Sequence, residues 1–332
     1  MSIETKILDE LSGESFVSGE AISARLGITR SAIWKHIGAL RRQGFVIEAS
    51  PRRGYRLAGL PDKLLPALLQ PALAHSLIGG RVVHFQEAGS TADEARLLVE
   101  AGAPEGTVVT AEAQTQGRGR MGRSWETPAG TAIALSVILY PDISPTQAPL
   151  LSLATALAAR RAIATVVGKE TGAAAAIDLK WPNDIYLAGN KLGGVLVEMS
   201  AELDRVRWVI SSIGLNVNND FAGTSLGKEA ISLSAFWGRR FSRSELAVAI
   251  LEELGRVYGR NRSGSGLEAA ARGFQEHDLL QGQRVKVSAP EGVVEGTAAG
   301  IDSEGRLLLH LPGGSIRPLF SGEVSVRRQA RF

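Results

Sequence analysis

Glycines at 117, 119 and 122 fit G-x-G-x-x-G, yet the segment after them, RSWETPAG, is broken by Pro128 and Gly130. A dinucleotide-binding turn needs a helix directly after the glycines, because the helix N-terminus holds the pyrophosphate. The mismatch argues against a doubly wound fold built on this turn, and no G-x-x-x-x-G-K-[ST] occurs to make a P-loop. What remains is a loop between strands with Arg118, Arg120 and Arg123 interleaved among its glycines. Backbone N–H groups and guanidinium forks in such a loop can close over a polyphosphate. Taken alone, it is equally an ordinary exposed arginine loop.

The elements around the loop point to α+β. VVHFQE (82–87) reads as a strand and ADEARLLVEAG as a helix capped by Ser90, with Asp93 in the third position of a capping box. Strands are expected over 106–114, 131–140, 177–181, 191–199 and 206–214, the pair at 177–181 and 191–199 joined through Gly189-Asn190. Helices are expected over about 149–167, 243–261 (opened by a Ser242/Glu245 capping box) and 266–276. Strands in meanders with helices grouped apart make a mixed-sheet domain. Within it, KWPND (180–184) carries a lysine, an amide and a carboxylate where Pro182 ends a strand. Asn-Asp after Pro is as a rule only a turn, but this set also supplies a cation for phosphate and an orienting acid. Lys191 then opens a strand whose Gly193-Gly194 leaves the backbone bare for a ligand, and GLNVN puts Asn216 and Asn218 past another strand end.

Upstream, apolar residues fall at helical spacing in three short runs, and only Ile28 separates Gly27 from Thr29. Such a tight joint is that of a helix-turn-helix, with the third helix in the recognition position. FVIEASPRRGYRL follows as a β-hairpin tipped by Arg52 and Arg53, which completes a winged helix-turn-helix. Between Arg25 and Arg56 stand eight basic residues and one acid, Glu48. The bland alternative is a helical packing unit with a solvated basic face, but the charges lie on the elements that touch DNA. Arg30, Ser31, Trp34 and Lys35 are the candidates on the recognition helix and Arg52 and Arg53 those on the wing, although Trp34 could equally pack against the wing. At the other end, five short strands punctuated by Pro290-Glu291-Gly292, Ser303-Glu304-Gly305 and Pro312-Gly313-Gly314 read as a small SH3-like barrel.

Composition excludes some chemistry. The chain has no cysteine, so disulfides, thiolate nucleophiles and zinc-thiolate sites are out, and the five histidines show no metal-ligand spacing. No apolar run reaches about 18 residues and the acidic amphipathic start is unlike a signal peptide, so a cytoplasmic protein with no membrane partner and no protein-bound metal is expected.

Taken in order, a Ser-Thr at a helix start, Q-x-x-G-R-G-R-x-G-R-x-W, K-W-P-N-D, K-L-x-G-x-L-x-E and G-x-N resemble the biotin protein ligase family across about 82–220. The head before and the β segment after are similar to those of ligases that also repress biotin synthesis. The resemblance implies three domains, 1–62 (winged helix-turn-helix), 63–278 (biotin- and ATP-binding catalytic domain) and 279–332 (SH3-like barrel, docking ATP and carrier). It implies that biotin is held by Ser90, Thr91, Gln114 and Asp184, with Gly119 and Gly194 backbone nearby. Arg118 and Arg120 would close over the biotinyl and phosphate groups, Arg123 would face the ATP phosphates, and Lys180 and Lys191 would flank the reacting carboxylate and α-phosphate. Asn183 and Asn216 would take the nucleotide side. Mg²⁺ would accompany ATP, and the partners would be biotin carboxyl carrier protein of acetyl-CoA carboxylase, operator DNA and a second copy in a ligand-promoted homodimer. Two departures stand out: Ala92 where the pattern has Asn, and Met121 in place of a fourth arginine. A lipoate or octanoate ligase of related fold, and a non-enzymatic DNA-binding biotin or nucleotide sensor, are the alternatives.

Overall fold

Ser18 and Thr29 start two helices by accepting the backbone N–H of the residue three further on, Ala21 and Ala32. These helices, α2 (Gly19–Leu26) and α3 (Arg30–Gln43), pack with α1 (Ile3–Glu10) around Ile7, Ile22, Ile33 and Ile37. The structure, a computed structural model, describes residues 2–173, 176–259, 267–289 and 292–326. β1 (Val46–Ser50) and β2 (Gly54–Gly59) form the antiparallel wing, and Val17 adds a bridge to Tyr55 at its edge. Gly54 is demanded there: its φ is 103° and a Cβ would lie 2.1 Å from the Val17 carbonyl oxygen.

A helix the sequence reading leaves unassigned, α4 (Pro66–Ala72), joins head to body. Its Leu69 sits in the core of the central domain while Ala67 and Leu68 pack on that of the head, so the two hydrophobic cores meet across one short helix.

The central sheet has seven strands: β3 (Val82–Ala88), β4 (Val108–Gln114), β5 (Ala132–Leu139), β6 (Ile177–Lys180), β7 (Asp184–Leu187), β8 (Asn190–Ala201) and β9 (Val206–Asn216). Their order is β3-β4-β5-β9-β8-β7-β6, with only β3 and β4 parallel. Alternation along the strands sets the two faces. Leu135, Val137, Val209 and Ile213 look toward α6 (Ala148–Thr171), α8 (Arg243–Gly259) and α9 (Leu267–Gln275). Ile138 and Ile210 look the other way, toward Ala92 and Ala95 of α5 (Thr91–Glu100). Among the described residues α6 lies in the one helix long and apolar enough to cross a membrane, and most of it is buried in this core.

β10 (Arg284–Ala289), β11 (Gly292–Ile301), β12 (Leu307–His310), β13 (Ile316–Leu319) and β14 (Glu323–Val326) form the C-terminal unit, an antiparallel sheet in the order β13-β12-β11-β10-β14. A short α7 (Leu233–Trp237) is the remaining α-helix among the described residues. Residues 260–261 and 266 of the two expected helices, the turn at 290–291 and Arg327 of the last expected strand lie outside the described residues.

Two local expectations change. KWPND does not end the sheet; it is the turn of a β6–β7 hairpin, because DIYL forms a strand of its own, too short and too mixed in its pattern to register as one. Asp93 does not complete a capping box, since its carboxylate is taken by Arg118.

Candidate functional site

Register, more than sequence order, assembles the site. Lys180 pairs with Asp184, Asp184 with Gly194, Gly194 with Gly214 and Gly214 with Ala134, so one row crosses five strands on the face that carries α5. Two residues along, Leu196, Ser212 and Ser136 form the next row on the same face. Three motifs far apart in the chain therefore meet over a floor of glycine. Trp125 from the arginine loop lies on it, and a Cβ at Gly214 would come within 2.5 Å of the indole. The cavity above the floor holds about 540 Å³.

Its one end is a set of polar side chains at the start of α5. The Thr91 backbone N–H and hydroxyl both donate to Gln114 Oε1, at 2.9 and 3.2 Å, and Gln114 Nε2 donates to Thr127 Oγ1 at 3.0 Å. Ser90 Oγ accepts from the Ala92 N–H at 3.3 Å. Ala92 itself is buried against the cavity, so the departure from Asn removes a polar group from the wall.

The other end is cationic. Lys191 Nζ lies 2.7 Å from Asp184 Oδ1 and 5.7 Å from the Trp125 ring centroid. Lys180 Nζ reaches Tyr186 Oη at 3.5 Å. Burial pushes the Lys180 ammonium below the ordinary lysine range, with Asp184 opposing, and burial likewise lowers the Arg120 guanidinium. The same desolvation pushes the Tyr186 phenol up to about 12. Poorly solvated cations of this kind stabilise developing phosphoryl charge more than solvated ones can. Arg120 Nη1 donates to Asn183 Oδ1 at 3.4 Å, and Asn183 Nδ2 donates to the Val195 carbonyl at 2.7 Å.

The loop ties down both edges. Arg118 holds Asp93 through two hydrogen bonds of 2.6 Å, which keep the carboxyl below the usual carboxylate range and raise the guanidinium. Arg123 forms an ion pair with Glu323 of β14, so the C-terminal sheet supplies a wall of the cavity. Met121 is exposed with a left-handed φ of 57°.

Ser90, Thr91, Gln114, Arg118, Gly119, Arg120, Arg123, Lys180, Asn183, Asp184, Lys191 and Gly194 all line this one cavity. Asn216 does not; it is buried at the end of β9, beyond the lining. Sequence reasoning missed Ser212, Trp125, Tyr186 and Glu323. Trp125 stood in the quoted motif, and strand alternation could have set Ser212 on the face of Gly214, whereas nothing local marks Glu323.

On the head, Arg30, Ser31, Trp34 and Lys35 are exposed along α3; Trp34 is 67% exposed and does not pack on the wing. Arg52 is exposed at the wing tip, and Arg53 stacks 4.4 Å from the Phe16 ring centroid.

A cation-lined, glycine-floored cavity on a mixed sheet, with a winged helix-turn-helix in front, defines a phosphate-handling catalytic domain carrying a nucleic-acid-binding head. Residues 84–218 match the Biotin/lipoate A/B protein ligase family, residues 4–56 an HTH domain and residues 281–327 the Biotin protein ligase C terminal domain. The chain is 38% identical over 317 residues to the bifunctional ligase/repressor BirA of Bacillus subtilis, covering 95% of each. It is 31% identical to the bifunctional ligase/repressor BirA of Escherichia coli over 98% of each. The biotin protein ligase of Aquifex aeolicus, solved with biotin and ATP, superposes with a TM-score of 0.59 at 27% identity over 75% of this chain and 99% of that one. The chain belongs to the biotin protein ligase family.

Proposed function

We propose that this chain is an ATP-dependent biotin protein ligase that activates biotin to biotinyl-5′-AMP, transfers the biotinyl group to a lysine of biotin carboxyl carrier protein, and represses biotin synthesis genes through its head. The observation that carries the reading is the convergence of Lys180, Lys191 and Arg120 on one cavity whose far end is the Ser90–Thr91–Gln114 set.

In the first step the biotin carboxylate attacks the α-phosphate of ATP and pyrophosphate leaves. In the second, the carrier lysine attacks the acyl carbon of the mixed anhydride and AMP leaves. No enzyme nucleophile is required, which suits a chain without cysteine. Charge grows on phosphoryl oxygens, so preorganised cations do the catalysis. Lys180 and Lys191 take that task, with Arg118 and Arg120 closing over the biotinyl and phosphate groups, Arg123 facing the ATP phosphates, and Gly119 and Gly194 giving backbone room for the ligand. Asp184 orients Lys191 toward biotin. Asn183 and Asn216 take the nucleotide side, Asn216 from beyond the cavity wall. Mg²⁺ would accompany ATP, offsetting charge on its phosphates.

Arg30, Ser31, Trp34 and Lys35 face the major groove while Arg52 and Arg53 reach phosphate. A homodimer that forms once the adenylate orders the loop couples the two activities. The same reading divides the chain at 62/63 and 278/279. Incubation with biotin, ATP and Mg²⁺ is expected to release pyrophosphate and label a carrier protein, and adding both ligands to strengthen an electrophoretic shift on DNA upstream of biotin genes. Absence of pyrophosphate with an intact ligand-dependent shift would favour a non-enzymatic sensor.

A further inference from the structure

Hydrogen bookkeeping in the polar end of the cavity gives one residue a role that family membership does not assign. The Thr91 backbone N–H can only donate, so it fixes Gln114 Oε1 toward α5, and the Thr91 hydroxyl spends its single hydrogen on the same oxygen. Ser136, fully buried, donates its hydrogen to Thr91 Oγ1 at 2.8 Å. Ser136 and Ser212 are themselves 2.8 Å apart, and with the Ser136 hydrogen spent, Ser212 must be the donor of that bond. Every hydrogen in the chain Ser212–Ser136–Thr91–Gln114 thus points toward Gln114.

The consequence lies at the cavity wall, where Ser212 is half-buried. Its oxygen faces the ligand with lone pairs alone. Gln114 Oε1 has both lone pairs occupied, so the amide offers the ligand only its remaining N–H. The Asp184 oxygen nearest the cations is engaged by Lys191. Ser90 Oγ accepts from the Ala92 N–H and keeps a hydrogen to give. The slot therefore offers donors at Ser90 and Gln114 and an acceptor at Ser212.

Resting on the biotin reading above, we propose that Ser212 is a specificity-determining residue whose hydroxyl oxygen, polarised by the relay through Ser136, accepts an N–H of the biotin ureido group. A ureido ring carries a carbonyl and two N–H groups and satisfies both ends; a dithiolane or an alkyl chain offers the Ser212 oxygen nothing, and leaves it desolvated and unpaired. The relay matters as much as the contact, because without Ser136 the Ser212 hydrogen turns free and the hydroxyl loses its acceptor-only character.

Calorimetric titration of biotin into the wild type, Ser212→Ala, Ser136→Ala and the double variant tests this, with thermal melting as the check on folding. Each single change is expected to weaken biotin about tenfold, the loss of roughly one neutral hydrogen bond, and the double change no more than either. Biotin analogues methylated at one ureido nitrogen or the other complete the cycle: with one of them, wild type and Ser212→Ala bind alike. If Ser136→Ala does not fold, the two ligand series on Ser212→Ala decide alone. Undiminished biotin affinity in Ser212→Ala, or losses that multiply in the double variant, overturns the proposal. Failure of the wild type to bind biotin at all would instead sink the functional reading beneath it.

Discussion

Arg118 is clasped by Asp93 through two hydrogen bonds of 2.6 Å, and that clasp staples the middle of the arginine loop to the first turn of α5, beside Ser90 and Thr91. The residue that closes the cavity is thus fixed to the helix that holds the polar end. Both partners are partly exposed, so the pair contributes little to overall stability; its effect is on where the loop rests. Replacing Arg118 by Gly is expected to let activated biotin escape onto lysines of a bystander protein, since the lid must keep the anhydride from solvent. Asp93→Asn, which leaves Arg118 in place but loosens it, should leak in the same direction and less. Labelling of a bystander protein in the presence of carrier measures both, and unchanged carrier selectivity in Arg118→Gly counts against the lid.

Lys180 stands opposite Asp184 across the β6–β7 ladder, half-buried and poorly solvated. Removing one cation aimed at developing phosphoryl charge costs about 3 to 4 kcal/mol in barrier, by analogy with a lost oxyanion donor. Lys180→Ala is therefore expected to slow biotinyl-adenylate formation at least about a hundredfold in single turnover. Near-normal adenylation would remove Lys180 from the catalytic set.

The long strands and the head were legible because they rest on local rules, and the site residues were legible through the motifs that carry the family resemblance. Glycine and proline rule out a helix after 122, capping hydroxyls start α2 and α3, and alternation marks the long strands. What joins distant parts was not legible. Glu323 meets Arg123 only because two sheets pack together, and Ser212 becomes a ligand-facing group only through the register that sets it opposite Ser136. The β7 strand escaped because four residues cannot establish a period. Asn216 matched a motif, yet the end of β9 buries it outside the lining.

Arg243 illustrates the same limit in the core. It is buried at the start of α8, ion-paired with Glu112 of β4 at 2.8 Å, and it also holds Asp62 by the backbone N–H, at 2.7 Å, and by the guanidinium. Glu112 in turn accepts the Leu64 N–H at 2.9 Å, so the segment leaving the wing is anchored to a strand that ends in Gln114. Taking away one member of a buried pair strands the other charge and costs about 3 to 5 kcal/mol. Arg243→Met is expected to lower the melting midpoint by at least about 6 °C. Arg243→Met with Glu112→Gln should recover part of that fall; equal or greater destabilisation in the pair would show that packing, not stranded charge, sets the cost.

Asp278 sits where the central sheet hands the chain to the C-terminal one. Its Oδ1 accepts from the backbone N–H groups of Trp181 and Leu280, each at 3.3 Å, while Oδ2 is buried with no hydrogen-bond partner among the described residues. Burial pushes the carboxyl up to about 6, against the pull of those N–H groups and of Lys180. Because the native value lies above the unfolded one of about 3.9, the folded chain binds the extra proton between about pH 4 and 6, and stability falls as pH rises through 6. The displacement corresponds to at most roughly 3 kcal/mol at neutral pH. Asn keeps the acceptor for Trp181 and removes the charge, so Asp278→Asn should melt like the wild type near pH 3.5, gain on it between about pH 4 and 6, and melt several degrees higher at pH 7.5. A melting difference that does not change with pH would mean that Asp278 ionises as freely in the folded chain as in water.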